Sequence, residues 1–197
     1  MAFIGLKVPH EIARLLAQVD YGGLGQPEPT EHYHVTVAYF GDELPIERLA
    51  GIITSTFRVA SRTKPFMVET KRVTTFPPHP ENKTVPVICR VESEGLHALR
   101  DALLGQFRKD GVEFDQKFKD FKPHVTLAYT KPGDGAEQAA GLDQEIPTIS
   151  WGVGEIVLWG GDSGDDKLVV SFPFSLTNLE KQAAYRAVVR IALARGS

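Results

Sequence analysis

The chain has little of several things, and each scarcity excludes something. Cys89 is its one cysteine in 197 residues, so neither an internal disulfide framework nor a cysteine-built zinc site can form. No run of about 18 apolar residues occurs, which excludes the pattern of a membrane-spanning helix. The apolar stretch from Met1 to Val8 is short and has no charged leader or small-residue cleavage site, so a signal peptide and a membrane partner are not expected. A reducing, cytoplasmic setting is expected instead. Neither sign of charge is in excess: 22 Lys+Arg against 25 Asp+Glu leaves a formal net charge of −3, which excludes a wholesale electrostatic binder of duplex nucleic acid. What is present suffices for a core, with 42% hydrophobic and 24% charged residues, in one domain or two small joined lobes.

The order of elements runs twice. In the first half, Ala2–Val8 reads as a strand, His10–Val19 as a helix after Pro9, Asp20–Thr30 as a loop and Glu31–Phe40 as a strand. Ile46–Ala60 then reads as a helix and Phe66–Phe76 as a strand running into the Pro-rich Pro77–Pro80. The second half gives a strand over Val85–Glu92, a helix over Glu94–Lys109, a polar linker over Asp110–Asp120 and a strand over Pro123–Thr130. Gly133–Gln144 is loop or short helix. Two strands, Ile149–Trp159 and Lys167–Phe174, close the unit around the turn-rich Gly160–Asp166. The expectation is a single α+β domain over residues 1–175 with lobes of about 1–80 and 81–175, an exchange of strands between them left open. Residues 176–197 read as a basic C-terminal helix after the capping-box spacing Thr177-Asn178-Leu179-Glu180, packed against the domain or touching nucleic acid or another subunit.

Two hexapeptides 90 residues apart agree at five of six positions: His34-Val35-Thr36-Val37-Ala38-Tyr39 and His124-Val125-Thr126-Leu127-Ala128-Tyr129. Side chains on a strand alternate faces with a rise of about 3.3 Å per residue. His34 and Thr36 therefore share one face about 6.6 Å apart, and so do His124 and Thr126. Lobes packed about a pseudo-two-fold axis bring the two faces together across a cleft. Two imidazoles can serve as base and acid near neutral pH, and two hydroxyls can hold the non-bridging oxygens of a phosphodiester. This chemistry needs no metal, and none is expected, nor any other cofactor. His32-x-His34 lacks nearby carboxylates at ligand spacing.

The motifs carry a resemblance. His34–Asp42 (HVTVAYFGD) and Phe121–Tyr129 (FKPHVTLAY) resemble the two motifs of the 2H phosphoesterases, and the likeness extends over roughly residues 2–175. It implies a bilobal fold of two pseudo-symmetric small antiparallel sheets with outer helices and a central cleft. It also implies that His34 and His124 are the acid–base pair and Thr36 and Thr126 the phosphate ligands. Family activities that the resemblance brings include hydrolysis of 2′,3′-cyclic phosphates at single-stranded RNA ends, the enzymes long labelled 2′-5′ RNA ligases. Phage enzymes of the anti-CBASS type, which degrade cyclic oligonucleotide immune signals, are also similar and would act in the host cytoplasm. Tyr129 stands where many RNA cyclic phosphodiesterases carry Arg, so that basic contact has no match at this position. The expectation is a phosphodiesterase acting on a cyclic oligonucleotide or a 2′,3′-cyclic phosphate. An RNA-end processing enzyme and an inactive nucleotide-binding module are the alternatives.

Further residues are candidates for substrate contact. His32 and Lys122 each precede a motif histidine by two and share its face by alternation. Trp151, Glu155 and Trp159 share one parity along Ile149–Trp159 and are placed to stack on and bond a base. Tyr39 and Tyr129 fall on the face opposite the histidines unless a bulge turns them. Cys89 lies in an apolar strand and reads as buried. Gly22-Gly23-Leu24-Gly25 lacks the Lys-Ser/Thr of a phosphate loop, and Gly161–Asp166 lacks calcium-loop spacing.

Overall fold

The computed structural model describes residues 1–42, 46–77, 84–116, 120–130, 139, 141–160 and 168–175. The expected C-terminal helix, the Gly160–Asp166 connection after its first residue and most of Gly133–Gln144 lie outside the described residues. No helix among the described residues is long and apolar enough to cross a membrane.

The first sheet has the order β10-β9-β1-β3, from β1 (Ala2–Lys7), β3 (His34–Gly41), β9 (Glu155–Trp159) and β10 (Leu168–Pro173). The second has the order β2-β6-β5-β4-β7, from β2 (Gln26–Pro27), β4 (Phe66–Thr75), β5 (Pro86–Glu92), β6 (His124–Tyr129) and β7 (Asp143–Glu145). β8 (Ser150–Val153) also pairs with β4, and every strand pairing among the described residues is antiparallel. Sheet membership therefore cuts across the halves of the sequence. β4 joins the second sheet, and the closing strands β9 and β10 return to the first.

Among the described residues, three helices lie alongside the strands: α1 (His10–Leu16), α2 (Ile46–Ala60) and α3 (Glu94–Asp110). α3 buries the apolar stripe Leu96, Leu99, Leu103, Leu104 and Phe107, spaced for one helix face. Ser93 caps its N-terminus by accepting from the Leu96 N–H, and Gly111, at φ 70°, takes the left-handed turn that ends it. α2 and α3 are tied at Asp110, whose Oδ2 accepts from Ser55 at 2.6 Å and from Arg58 at 3.0 Å. Val35, Val37, Val125 and Leu127, the apolar residues between the motif polar groups, are all fully buried.

The duplication is visible in the strand registers. Lys7 stands opposite His34, Gly5 opposite Thr36 and Phe3 opposite Tyr39. Arg90 stands opposite His124, Ile88 opposite Thr126 and Pro86 opposite Tyr129. Even the bonds beside each motif repeat, with Val8 N–H donating to Tyr33 O and Val91 N–H to Pro123 O, both at 3.1 Å.

Candidate active site

β3 and β6 meet where the two sheets approach each other. Each histidine is oriented by the backbone two residues before it. His34 Nδ1 lies 2.6 Å from the His32 carbonyl, and His124 Nδ1 lies 2.7 Å from the Lys122 carbonyl. A carbonyl only accepts, so both Nδ1 atoms carry hydrogen and proton exchange is left to Nε2. Burial holds the His124 pKa below its ordinary value, against the Lys122 carbonyl that favours the charged form. The nearby charges of His34 and Arg90 push the same way as burial, which places the two imidazoles within electrostatic reach of each other.

Thr36 and Thr126 are half-buried on the histidine faces, and neither side chain hydrogen-bonds within the described protein. Other threonines do: Thr56, Thr63 and Thr75 donate to main-chain carbonyls. The two motif hydroxyls are thus available to a ligand.

Strict alternation fails just beyond each threonine, and it fails in the same way. Ile4 faces Ala38 while Gly5 faces Thr36, which leaves Val37 as an extra residue in β3. Val87 faces Ala128 while Ile88 faces Thr126, which leaves Leu127 extra in β6. These are β-bulges, and each reverses the parity that follows. Tyr39 and Tyr129 therefore share the faces of His34 and His124, since residues directly opposite in antiparallel strands point the same way. Each bulge has its carbonyl occupied from outside the ladder: Arg100 Nη1 donates to Val37 O at 2.6 Å, and Glu28 N–H to Leu127 O at 2.9 Å.

The aromatic surroundings are not symmetric. Phe3 stacks on His34 at 4.5 Å between centroids and on Trp159 at 5.0 Å. Gly5 makes room for this group, because a Cβ there would lie 2.6 Å from Val35 O and 3.3 Å from the Trp159 ring. Beside His124, the Phe76 ring stands perpendicular to the imidazole at 4.8 Å, and the buried Ile88 fills the place that Gly5 leaves open.

Other candidates fall elsewhere. Trp151 is 4% exposed, in the hydrophobic core on β8, while Glu155 and Trp159 lie on β9 of the other sheet. The strand expected over Ile149–Trp159 breaks at Gly154, so the shared face expected of the three residues does not form. Glu155 accepts from Ser171 at the end of β9 away from Trp159. His32 belongs to a 3-10 turn, Thr30–His32, and its Nδ1 lies 3.0 Å from Glu28; alternation does not place it. Lys122 is exposed just before β6. Burial pushes the Cys89 thiol up to about 12. Phe3, Phe76 and Arg90 are site neighbours that motif reading did not single out. The likeness of AFIGLKV to VPVICRV at an offset of 83 residues was the signal that relates Lys7 to Arg90.

Two sheets that each present a His-Thr strand to one cleft define the class of the two-histidine phosphoesterases. The model of the 2′-5′ RNA ligase superfamily matches residues 9–165, and the chain belongs to that superfamily. Its fold is similar to TT0787 of Thermus thermophilus, with a TM-score of 0.69 and 21% identity over 88% of this chain and 97% of that one. It is also similar to Escherichia coli LigT solved with 3′-AMP, with a TM-score of 0.66 and 20% identity over 89% and 98%. Usb1 of Kluyveromyces marxianus follows at a TM-score of 0.59 and 10% identity over 88% and 97%. No curated protein matches the chain.

Proposed function

We propose that the protein is a phosphodiesterase that hydrolyses a nucleotide phosphodiester, either a 2′,3′-cyclic phosphate or a bond of a cyclic oligonucleotide, without a metal ion. The observation that carries this reading is the matched pair of imidazoles, each pinned through Nδ1 to a main-chain carbonyl and each followed by an unengaged threonine hydroxyl. His124 is the base. Burial favours its neutral form, so Nε2 takes a proton from the attacking water as the new O–P bond forms. His34 is the acid. Its charged form faces the π-systems of Phe3 and Trp159, at 4.5 and 5.8 Å, a placement that stabilises a cation. It gives its Nε2 proton to the leaving oxygen as the old P–O bond breaks, and exchange with solvent restores both groups. Thr36 and Thr126 donate to the non-bridging oxygens and hold the phosphorus between the rings.

Turnover of adenosine 2′,3′-cyclic phosphate, a cyclic dinucleotide and a 20-mer RNA ending in a cyclic phosphate, all in EDTA, tests the reading. Hydrolysis of at least one substrate by the wild type and none by the His34→Ala, His124→Ala double variant is expected. Equal turnover by the two proteins overturns it. A preference for the 20-mer that collapses with salt would favour the RNA-end alternative, and tight binding without turnover would favour the binding module.

A further inference from the structure

Beside His124 opens a cavity of about 750 Å³ walled by Arg72, Phe76, Arg90, Lys122 and Asp143 among others, and by none of the four motif His and Thr side chains. A group seated there is therefore distinct from the phosphate held between the histidines. Its cations sort into two kinds. Lys71 Nζ lies 3.0 Å from Glu92 and 3.4 Å from Glu69, and Arg72 lies 2.7 Å from Asp143 and 3.8 Å from Glu145; both are compensated. Arg90 and Lys122, which flank His124, meet no carboxylate among the described residues, and the buried Nε of Arg90 has no hydrogen-bond partner. A buried N–H of a cation without an acceptor is costly, and an anion relieves that cost.

The internal duplication shows that this is a feature of one side only. Lys7 holds the position opposite His34 that Arg90 holds opposite His124, but Lys7 is exposed and does not line this cavity. Arg90 and His124 are cross-strand neighbours, about 5 Å apart at Cα, so an anion on Arg90 lies within one nucleotide of the reacting phosphate.

Building on the phosphodiesterase reading, we propose that this cavity is a subsite for a second phosphate of the substrate, one nucleotide from the bond cleaved, held by Arg90 and Lys122. The substrate then lies in one direction across an otherwise pseudo-symmetric cleft, with its phosphorylated extension on the His124 side.

Calorimetry with the dinucleotide ApA, its 5′-phosphorylated form pApA and its 3′-phosphorylated form ApAp tests this, with turnover of adenosine 2′,3′-cyclic phosphate, a cyclic dinucleotide and a 20-mer RNA ending in a cyclic phosphate followed in parallel. One phosphorylated form should bind the wild type about tenfold or more tightly than ApA, the effect of a charge-assisted hydrogen bond. That gain should vanish in Arg90→Gln, shrink in the exposed Lys122→Gln, return in part in Arg90→Lys, and change less than twofold in Lys71→Gln. An unchanged gain in both Arg90→Gln and Lys122→Gln overturns the subsite. Equal weakening of ApA and the phosphorylated form in Arg90→Gln also overturns it, since Arg90 would then hold the reacting phosphate. The gain with no turnover of any substrate would leave the subsite standing and remove the phosphodiesterase reading. Turnover without the gain would do the reverse.

Discussion

At the scale of single residues, the four motif side chains stand out in the sequence because the hexapeptide is written twice, and a repeat needs no knowledge of tertiary structure. Replacing either His34 or His124 by Ala should lower kcat/KM by about 10²–10⁴-fold, the usual contribution of one acid–base group. Circular dichroism should show the fold retained. Two imidazoles in opposite protonation states also predict a bell-shaped dependence of kcat/KM on pH, whose limbs belong to the pair. Burial of His124 puts the base-controlled acid limb below the ordinary histidine value of 6.5. His34→Ala should remove the alkaline limb from whatever activity remains, and a flat profile in the wild type from pH 5 to 9 would contradict paired catalysis. Arg90 and Phe3 were not legible, because each reaches its histidine from a neighbouring strand and strand register is not written in either strand alone. Trp151 misleads for the opposite reason, since its parity matches Trp159 only while both are taken to lie on one strand. As a core residue at 4% exposure, Trp151→Ala should cost about 3–5 kcal/mol of stability. Chemical denaturation reads that loss; a loss below about 1 kcal/mol would mean that the side chain is not packed as described.

At the scale of elements, the sequence pattern located strands and helices well and the details of strands poorly. The helix over Ile46–Ala60 appears with the expected bounds, and α3 differs from expectation by one residue at its end. Alternation, however, assumes a regular ladder, and the bulges at Val37 and Leu127 break it inside the two repeated motifs themselves. The signature is the consecutive buried pair, Val37-Ala38 and Leu127-Ala128, which in sequence is indistinguishable from ordinary apolar residues. Because the bulge turns Tyr39 toward the cleft, what holds the bulge also shapes the cleft. Arg100 does so for β3, donating to Val37 O while its guanidinium lies 4.5 Å over the Phe121 ring. Arg100→Met should cost about 1–3 kcal/mol, the penalty of an unpaired buried acceptor, and should lower kcat although Arg100 is not placed on the substrate. The equivalent carbonyl in β6 is satisfied by a main-chain N–H that no side-chain substitution removes. A variant as active as wild type, with only its denaturation midpoint lowered, would confine Arg100 to a structural role.

At the scale of the whole molecule, the two sheets draw on both ends and the middle of the chain, and this interleaving explains the burial of the site. β1 and β3 come early, β9 and β10 return from the far end to complete their sheet, and the second sheet is built from the strands between. Two small sheets were legible in the repeated order of elements. Which strands join which sheet was not, because pairing between distant segments leaves no local pattern. His124 is half-buried only once the strands of the second sheet are assembled and β6 meets β3 of the first. Its depressed pKa is therefore a property of the folded molecule as a whole. The unfolded imidazole titrates near 6.5, while the folded one titrates lower because burial disfavours its charge. As pH falls below about 6.5 the unfolded chain binds the proton first, so stability declines. The decline ends once pH passes below the folded value and both states are protonated. The exposed Asp110, whose carboxyl is held below its ordinary value of 3.8 by hydrogen bonds from Ser55 and Gln106, loses its contribution only at more acid pH, so it does not confuse this window. Thermal unfolding followed from pH 7.5 to 5 should show Tm falling in the wild type and falling less in His124→Gln, which keeps a polar side chain without the titration. Parallel curves for the two proteins would mean that His124 is not shielded from water in solution as the fold places it.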